Sequence, residues 1–168
     1  MKMTDLFLEE LEREAEGTRR ALERVPDGRH DWKPHEKSMS LGRLANLVAS
    51  MPSWVVTMVN QDELDISTAG GSKYKPQELR TSRELVEALA GHVAKAREAL
   101  AGTTDEHLMT PWRLRIAAGV TKEKPRYIML RDGVFNHLAH HRGQLTVYLR
   151  LTGVAVPAIY GPSADEAQ

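Results

Sequence analysis

Apolar residues recur at helical spacing in four long stretches of this chain, separated by polar segments rich in proline and glycine. In the first, about residues 4–24, Phe7, Leu11, Thr18, Leu22 and Val25 share one face, with Ala15 between them. Thr4 is the expected N-cap, and Asp5, Glu9 and Glu10 suit the positive end of a helix. Pro26-Asp27-Gly28 is the stop signal. A polar loop over 26–39 carries His30, Trp32, Pro34 and His35. The second stretch, about 40–60, repeats Leu41, Leu44, Val48, Met51, Val55 and Met58, with Pro52 expected to kink or break it.

Residues 61–80 read as a loop containing Gly70-Gly71 and Pro76. Thr81-Ser82-Arg83-Glu84 has the form of a capping box. It opens a third helix carrying Leu85, Leu89, Val93, Ala96 and Leu100, which stops near Gly102. Residues 103–125 are mixed, and the alternation Trp112-Arg113-Leu114-Arg115-Ile116 suits a short strand. The fourth helix is expected from about Pro125 to Thr152, with Gly153 just beyond it. Its stripe reads Leu130, Val134, His137, His141, Leu145, Tyr148. The tail, Val156 to Pro162, is not helical in pattern. Four amphipathic helices with long second and third connections indicate an all-α four-helix bundle.

Length and charge narrow the function classes. A chain of 168 residues fits one domain, 1–168, able to bury roughly 70% of its unfolded surface. Lysine plus arginine and aspartate plus glutamate number 23 each, with no basic block, which argues against nucleic-acid binding. Cysteine is absent, so disulfides, thiolate ligands and cysteine nucleophiles are excluded. No apolar run approaches a membrane span, and the N-terminus turns acidic at once, unlike a signal peptide. A cytoplasmic protein is the expectation. No Gly-x-Ser-x-Gly elbow supports a serine triad.

The candidate chemistry lies in Phe135-Asn136-His137-Leu138-Ala139-His140-His141-Arg142-Gly143-Gln144-Leu145. Three of the seven histidines fall within five residues there. His137 and His141 are four apart, so on a helix they stack on one face and can converge on a transition metal. The plainer possibility is a buried pair satisfied by hydrogen bonds and held neutral by desolvation. His140 is expected at a helix interface, Arg142 and Gln144 at exposed or interfacial positions, and His30 and His107 in loops. Trp32, Trp54 and Trp112 are candidates for an aromatic pocket wall, and Met51, Met58 and Met129 for core filling.

The block Asn136 to Leu145, continued by Tyr148-Leu149-Arg150-Leu151-Thr152-Gly153 and Pro157 to Glu166, resembles the C-terminal motif of the DinB-like (YfiT-like) family. Met39-Ser40-Leu41-Gly42-Arg43-Leu44-Ala45 and Pro52-Ser53-Trp54 resemble its second helix. The resemblance implies an up-down-down-up four-helix bundle, usually a homodimer. It also implies a divalent metal, nickel or zinc, on three histidines. Two of these map onto His137 and His141. The third belongs to the second helix, where this chain has Leu47. Leucine cannot ligate, so the expected site is degenerate, with weak metal binding or none. The alternative is a metal-dependent thiol transferase or hydrolase in which a further residue joins His137 and His141. Asn46, His92, His140 and His35 are the candidates for that residue. The resemblance also suggests that Tyr160 and Asp165 fold back over the bundle mouth, and that a small-molecule or thiol ligand is a partner.

Overall fold

The protein is described here by a computed structural model, which covers residues 2–66, 78–116 and 121–166. The chain runs α1 (Met3–Leu22), α2 (Leu41–Ser50), α3 (Ser53–Asn60), β1 (Glu63–Asp65), α4 (Ser82–Ala101), α5 (Asp105–Leu108), β2 (Pro111–Arg115), β3 (Thr121–Pro125) and α6 (Arg126–Leu130). A π-helical segment (Arg131–Phe135) then leads into α7 (Asn136–Leu151). The architecture is mostly helical, but the expectation of an all-α chain needs correction. Within the stretches read as loop or mixed, β1 pairs parallel with β2 and β2 antiparallel with β3. Their registers place Glu63 opposite Arg113 and Trp112 opposite Lys124. The rest of the expected loop, residues 67–77, lies outside the described residues.

Where the apolar spacing is regular, pattern and burial agree. Leu85, Leu89, Val93, Ala96 and Leu100 are all buried on α4, and Leu41, Leu44, Val48, Met51, Val55 and Met58 on α2, α3 and the turn between them. The break falls at Met51-Pro52, since a proline nitrogen cannot donate to the helical ladder. The capping box is formed: the Thr81 hydroxyl accepts from the Glu84 N–H, and the Glu84 carboxylate accepts from the Thr81 N–H at 2.9 Å. Gly153 adopts φ +81°, the left-handed geometry that ends a helix without a Cβ penalty.

Three local expectations are corrected. Thr4 is not an N-cap but lies inside α1, which begins at Met3. The Asp105 carboxylate, at the start of α5, instead accepts from the Met3 and Thr4 amides at 2.8 and 3.0 Å. The first helix stops at Leu22 rather than near Arg24. The final helix also changes phase. In the π segment Asn136 N–H donates to Arg131 C=O, five residues back, so the turn takes in an extra residue. Beyond it the buried positions are Leu138, Arg142, Leu145 and Leu149, not His137, His141 and Tyr148.

The core joins α1, α2, α3, α4 and α7, with Phe7 stacked on Phe135 at 5.6 Å between ring centroids. From the sheet, Trp112 alone is fully buried. Arg126, 2% exposed, secures the junction between sheet and helices. Its guanidinium donates to the Met58 carbonyl at 2.7 Å and the Thr110 hydroxyl at 3.0 Å, and it pairs with Asp62. Carbonyls at the end of α3 thereby gain a cation, as a helix C-terminus favours. Among the described residues, no helix is long and apolar enough to cross a membrane.

Candidate functional site

The phase change in the last helix moves His137 and His141 from the centre of the core to its edge, where both are half-buried. Their Nε2 atoms face each other at 2.9 Å. His141 Nδ1 lies 2.7 Å from Gln144 Oε1, and His137 is hydrogen-bonded with the backbone of Gly133 in the π segment. Each ring is thus oriented through a second contact, the arrangement that sets tautomer and direction in metal-binding histidines. With His141 Nδ1–H on Gln144 Oε1 and His137 N–H on the Gly133 carbonyl, two neutral rings turn Nε2 lone pairs toward each other; a metal-free pair is satisfied only with the Gln144 amide reversed, so that its NH2 donates to His141 Nδ1 and His141 Nε2–H donates to His137. Burial, then the nearby His141 and His140, holds His137 below the ordinary imidazole range. His137 is therefore neutral at neutral pH, and neutral imidazole is the ligand form.

The spacing of the pair suits a shared cation. Two nitrogens each about 2.0–2.1 Å from one metal are roughly 2.9–3.4 Å apart for angles from square to tetrahedral. The observed 2.9 Å lies within that range. The complete donor set does not fit a three-histidine centre. Leu47 is half-buried and packs against the core. Among the described residues, no group of three or more histidine, cysteine, aspartate or glutamate side chains is placed to hold a metal.

Each substitute ligand has another situation. Asn46 Nδ2 donates to the Gly42 and Leu79 carbonyls, both at 2.9 Å, while its Oδ1 accepts from the Leu79 amide at 3.0 Å. His92 places Nδ1 3.0 Å from the Ala49 carbonyl on the α4 side of α2. His140 is exposed, with its ring 5.0 Å from that of His141. His35 is exposed in its loop and accepts from the Lys37 amide.

The tryptophans separate. Trp54 stands 5.7 Å from the His137 ring and also lines a cavity of about 570 Å³ between α2 and α4. Trp32 packs edge-on against Tyr148, and Trp112 belongs to the core, so neither lines that cavity. The tail packs on α1 and α7. Asp165 pairs with Arg150, and Tyr160 donates its hydroxyl to Glu14 at 2.7 Å.

Three residues differ from their sequence assignments. Arg142 is not exposed or interfacial: it is 2% exposed, paired with Glu14 at 2.6 Å and in contact with the Tyr160 hydroxyl. The π segment turned it inward, and a buried carboxylate on α1 meets it. His140, expected at a helix interface, is exposed, whereas His30 keeps its place in the loop between α1 and α2 but is 5% exposed, seated against Gly42. His107 lies in α5, with Nε2 2.8 Å from the Val59 carbonyl. No local pattern announced the contacts of Arg142, His30 and His107, because each partner comes from a distant part of the chain.

Comparison with known proteins agrees with this architecture. The chain aligns over 92% of its length with a DinB-like protein from Bacillus cereus ATCC 10987, at a TM-score of 0.70 and 24% identity, covering 95% of that chain. A DinB-like protein of Bacillus subtilis, YjoA, gives a TM-score of 0.68 at 18% identity, over 92% of this chain and 98% of that one. Similarity at these identities speaks to the fold alone. A short stretch of 33 residues is 52% identical to the uncharacterized protein YrdA of Bacillus subtilis (strain 168), spanning only 20% of either chain. The DinB family matches residues 1–168. By that match across its full length, the chain belongs to the DinB family.

Proposed function

We propose that this DinB-family chain is a single-domain, up-down-down-up four-helix bundle with a degenerate metal site, which binds divalent metal weakly or not at all. The observation that carries this reading is the pairing of His137 and His141 with Leu47 as the counterpart of the third histidine. Two imidazoles give one edge of a coordination sphere, whereas zinc centres use three protein ligands when catalytic and four when structural. An apolar side chain at position 47 also removes a buried polar group that would otherwise need a partner.

A second reading is favoured by one observation, the metal-compatible 2.9 Å between the two Nε2 atoms. It takes the protein as a metal-dependent thiol transferase or hydrolase, with nickel or zinc on His137, His141 and a further ligand. Elemental analysis of untagged protein, followed by nickel and zinc titration, separates the two. Little bound metal and weak uptake support the degenerate site, while about one tightly held ion per chain overturns it. Leu47→His is expected to raise affinity by about tenfold or more, ~1.4 kcal/mol or above. No gain in that variant would place the third ligand position elsewhere on the helix.

The chain is further proposed to form a homodimer. On α7, Val147 and Leu151 are 56% and 58% exposed, and a Cβ added at Gly143 would meet nothing within 4 Å. Such an apolar, partly bare face suits a second helix from another copy. Sedimentation equilibrium should return twice the chain mass. A monomer at every concentration removes the dimer.

A further inference from the structure

Four groups form a continuous hydrogen-bonding chain along one flank of the last helix: the Gly133 carbonyl, His137, His141 and the Gln144 amide. A carbonyl only accepts, so Gly133 fixes a proton on the His137 nitrogen that faces it. In the neutral ring His137 Nε2 is then a bare lone pair, turned toward His141 Nε2 at 2.9 Å. What His141 presents to that lone pair is set at its other nitrogen, 2.7 Å from the Gln144 amide.

An amide carries an acceptor at one end and two donors at the other, and a half-turn exchanges them. The 2.7 Å separation admits either end, because the two exchange places without moving the helix. With the oxygen toward His141, the proton sits on Nδ1, and both Nε2 lone pairs point into the gap. Only a cation satisfies that arrangement. With the NH2 group toward His141, Nδ1 accepts, the proton sits on Nε2, and His141 donates to His137. The pair is then closed on itself. Gln144 is half-buried, and among the described residues its amide makes no other hydrogen bond, so no further contact ties it to one orientation.

We propose that Gln144 is a positioning residue that works as a two-way switch: its amide orientation sets the His141 tautomer, and the tautomer decides whether the pair is closed or open to a divalent cation. The inference rests on the reading of His137 and His141 as the remaining edge of a metal site, and it adds a regulation to that edge. The metal-free pair rests in the closed form, since two lone pairs 2.9 Å apart repel. A cation has to reverse the amide and break the bond between the histidines before it is held. That opposes loading independently of Leu47. Glutamine suits both states because it can donate or accept, whereas a carboxylate would only accept and would hold the pair open.

The test reads the tautomers of the full chain by long-range proton–nitrogen NMR in EDTA, at about pH 8, above the ordinary imidazole range. Wild-type protein is expected to carry its proton on Nδ1 at His137 and on Nε2 at His141. The Gln144→Glu variant should gain a proton on His141 Nδ1, and its zinc affinity should rise severalfold over wild type in titration. A purely structural role for Gln144 would leave the His141 tautomer where it was. A wild-type His141 protonated at Nδ1 overturns the proposal. So does a folded Gln144→Glu protein in which His141 Nδ1 stays bare, or one whose zinc affinity does not rise. The wild-type tautomers are read without metal, so they stand or fall apart from the degenerate site, which elemental analysis of the wild-type protein decides.

Discussion

Arg142 and Glu14 are 2% and 3% exposed and bond at 2.6 Å, while Arg142 also donates to the Glu14 carbonyl at 2.9 Å and the Thr18 hydroxyl at 3.1 Å. Gly17 leaves room for this contact, since a Cβ there would meet Arg142 Nη1 at 3.2 Å. Removing one member strands the other charge away from water, so Arg142→Met should cost about 3–5 kcal/mol in urea unfolding. Replacing both, as Arg142→Met with Glu14→Leu, should recover most of that loss. If the double variant is no more stable than the single, the penalty lies in packing rather than in a stranded charge. Burial and the Glu14 carboxylate raise the Tyr160 phenol above its ordinary range, so it stays protonated and donates to Glu14.

At the scale of elements, two devices fix where helices start. Thr81→Ala removes one half of the α4 capping box and should cost about 1 kcal/mol, read from a thermal or urea melt. The start of α1 depends instead on Asp105, whose carboxyl is held below the ordinary aspartate range by the Met3 and Thr4 N–H groups. The unfolded chain therefore binds more protons than the folded one as the pH falls through that range. The stabilisation is present above the ordinary aspartate range and is lost as the pH drops through the lower folded value. Asp105→Asn should melt below the parent at neutral pH, with the gap closing on acidification. Melting curves from about pH 7 to pH 3 check this, and a constant gap would rule out ionisation as its source. The π segment acts at the same scale, because one inserted residue exchanges the inward set His137, His141, Tyr148 for Leu138, Arg142, Leu149.

Across the whole molecule, the tail closes the chain onto its beginning. Glu166 pairs with Arg20 and with Arg24 at 3.1 Å, Asp165 with Arg150, and Ser163 donates to the Val156 carbonyl at 2.7 Å. The exposed ion pairs each add little. The Tyr160 contact matters more, because it reaches the buried Glu14 and Arg142. Removing residues 157–168 should lower stability by about 1–3 kcal/mol, the penalty for a buried polar group that loses a partner. A matched truncation in the Arg142→Met/Glu14→Leu background should lose clearly less. Equal losses in both would assign the tail's contribution to apolar cover from Ile159 instead.

The sequence by itself determined the regular parts: the α4 stripe and its capping box, the break at Pro52, the helix end before Gly153 and the motif that marks the family. These are local, since helical spacing, a proline nitrogen and a capping hydroxyl act within a few residues. The sequence also placed His137 and His141 one turn apart and put Leu47 where a third histidine was expected. Tertiary structure decided the rest. Only packing sets Glu14 against Arg142, brings Asp105 to the start of α1, pairs β1 with β2 and seats His30 on Gly42. Each of these joins residues far apart in the chain, and their energy comes from desolvating polar groups that must then find partners, which no local spacing encodes.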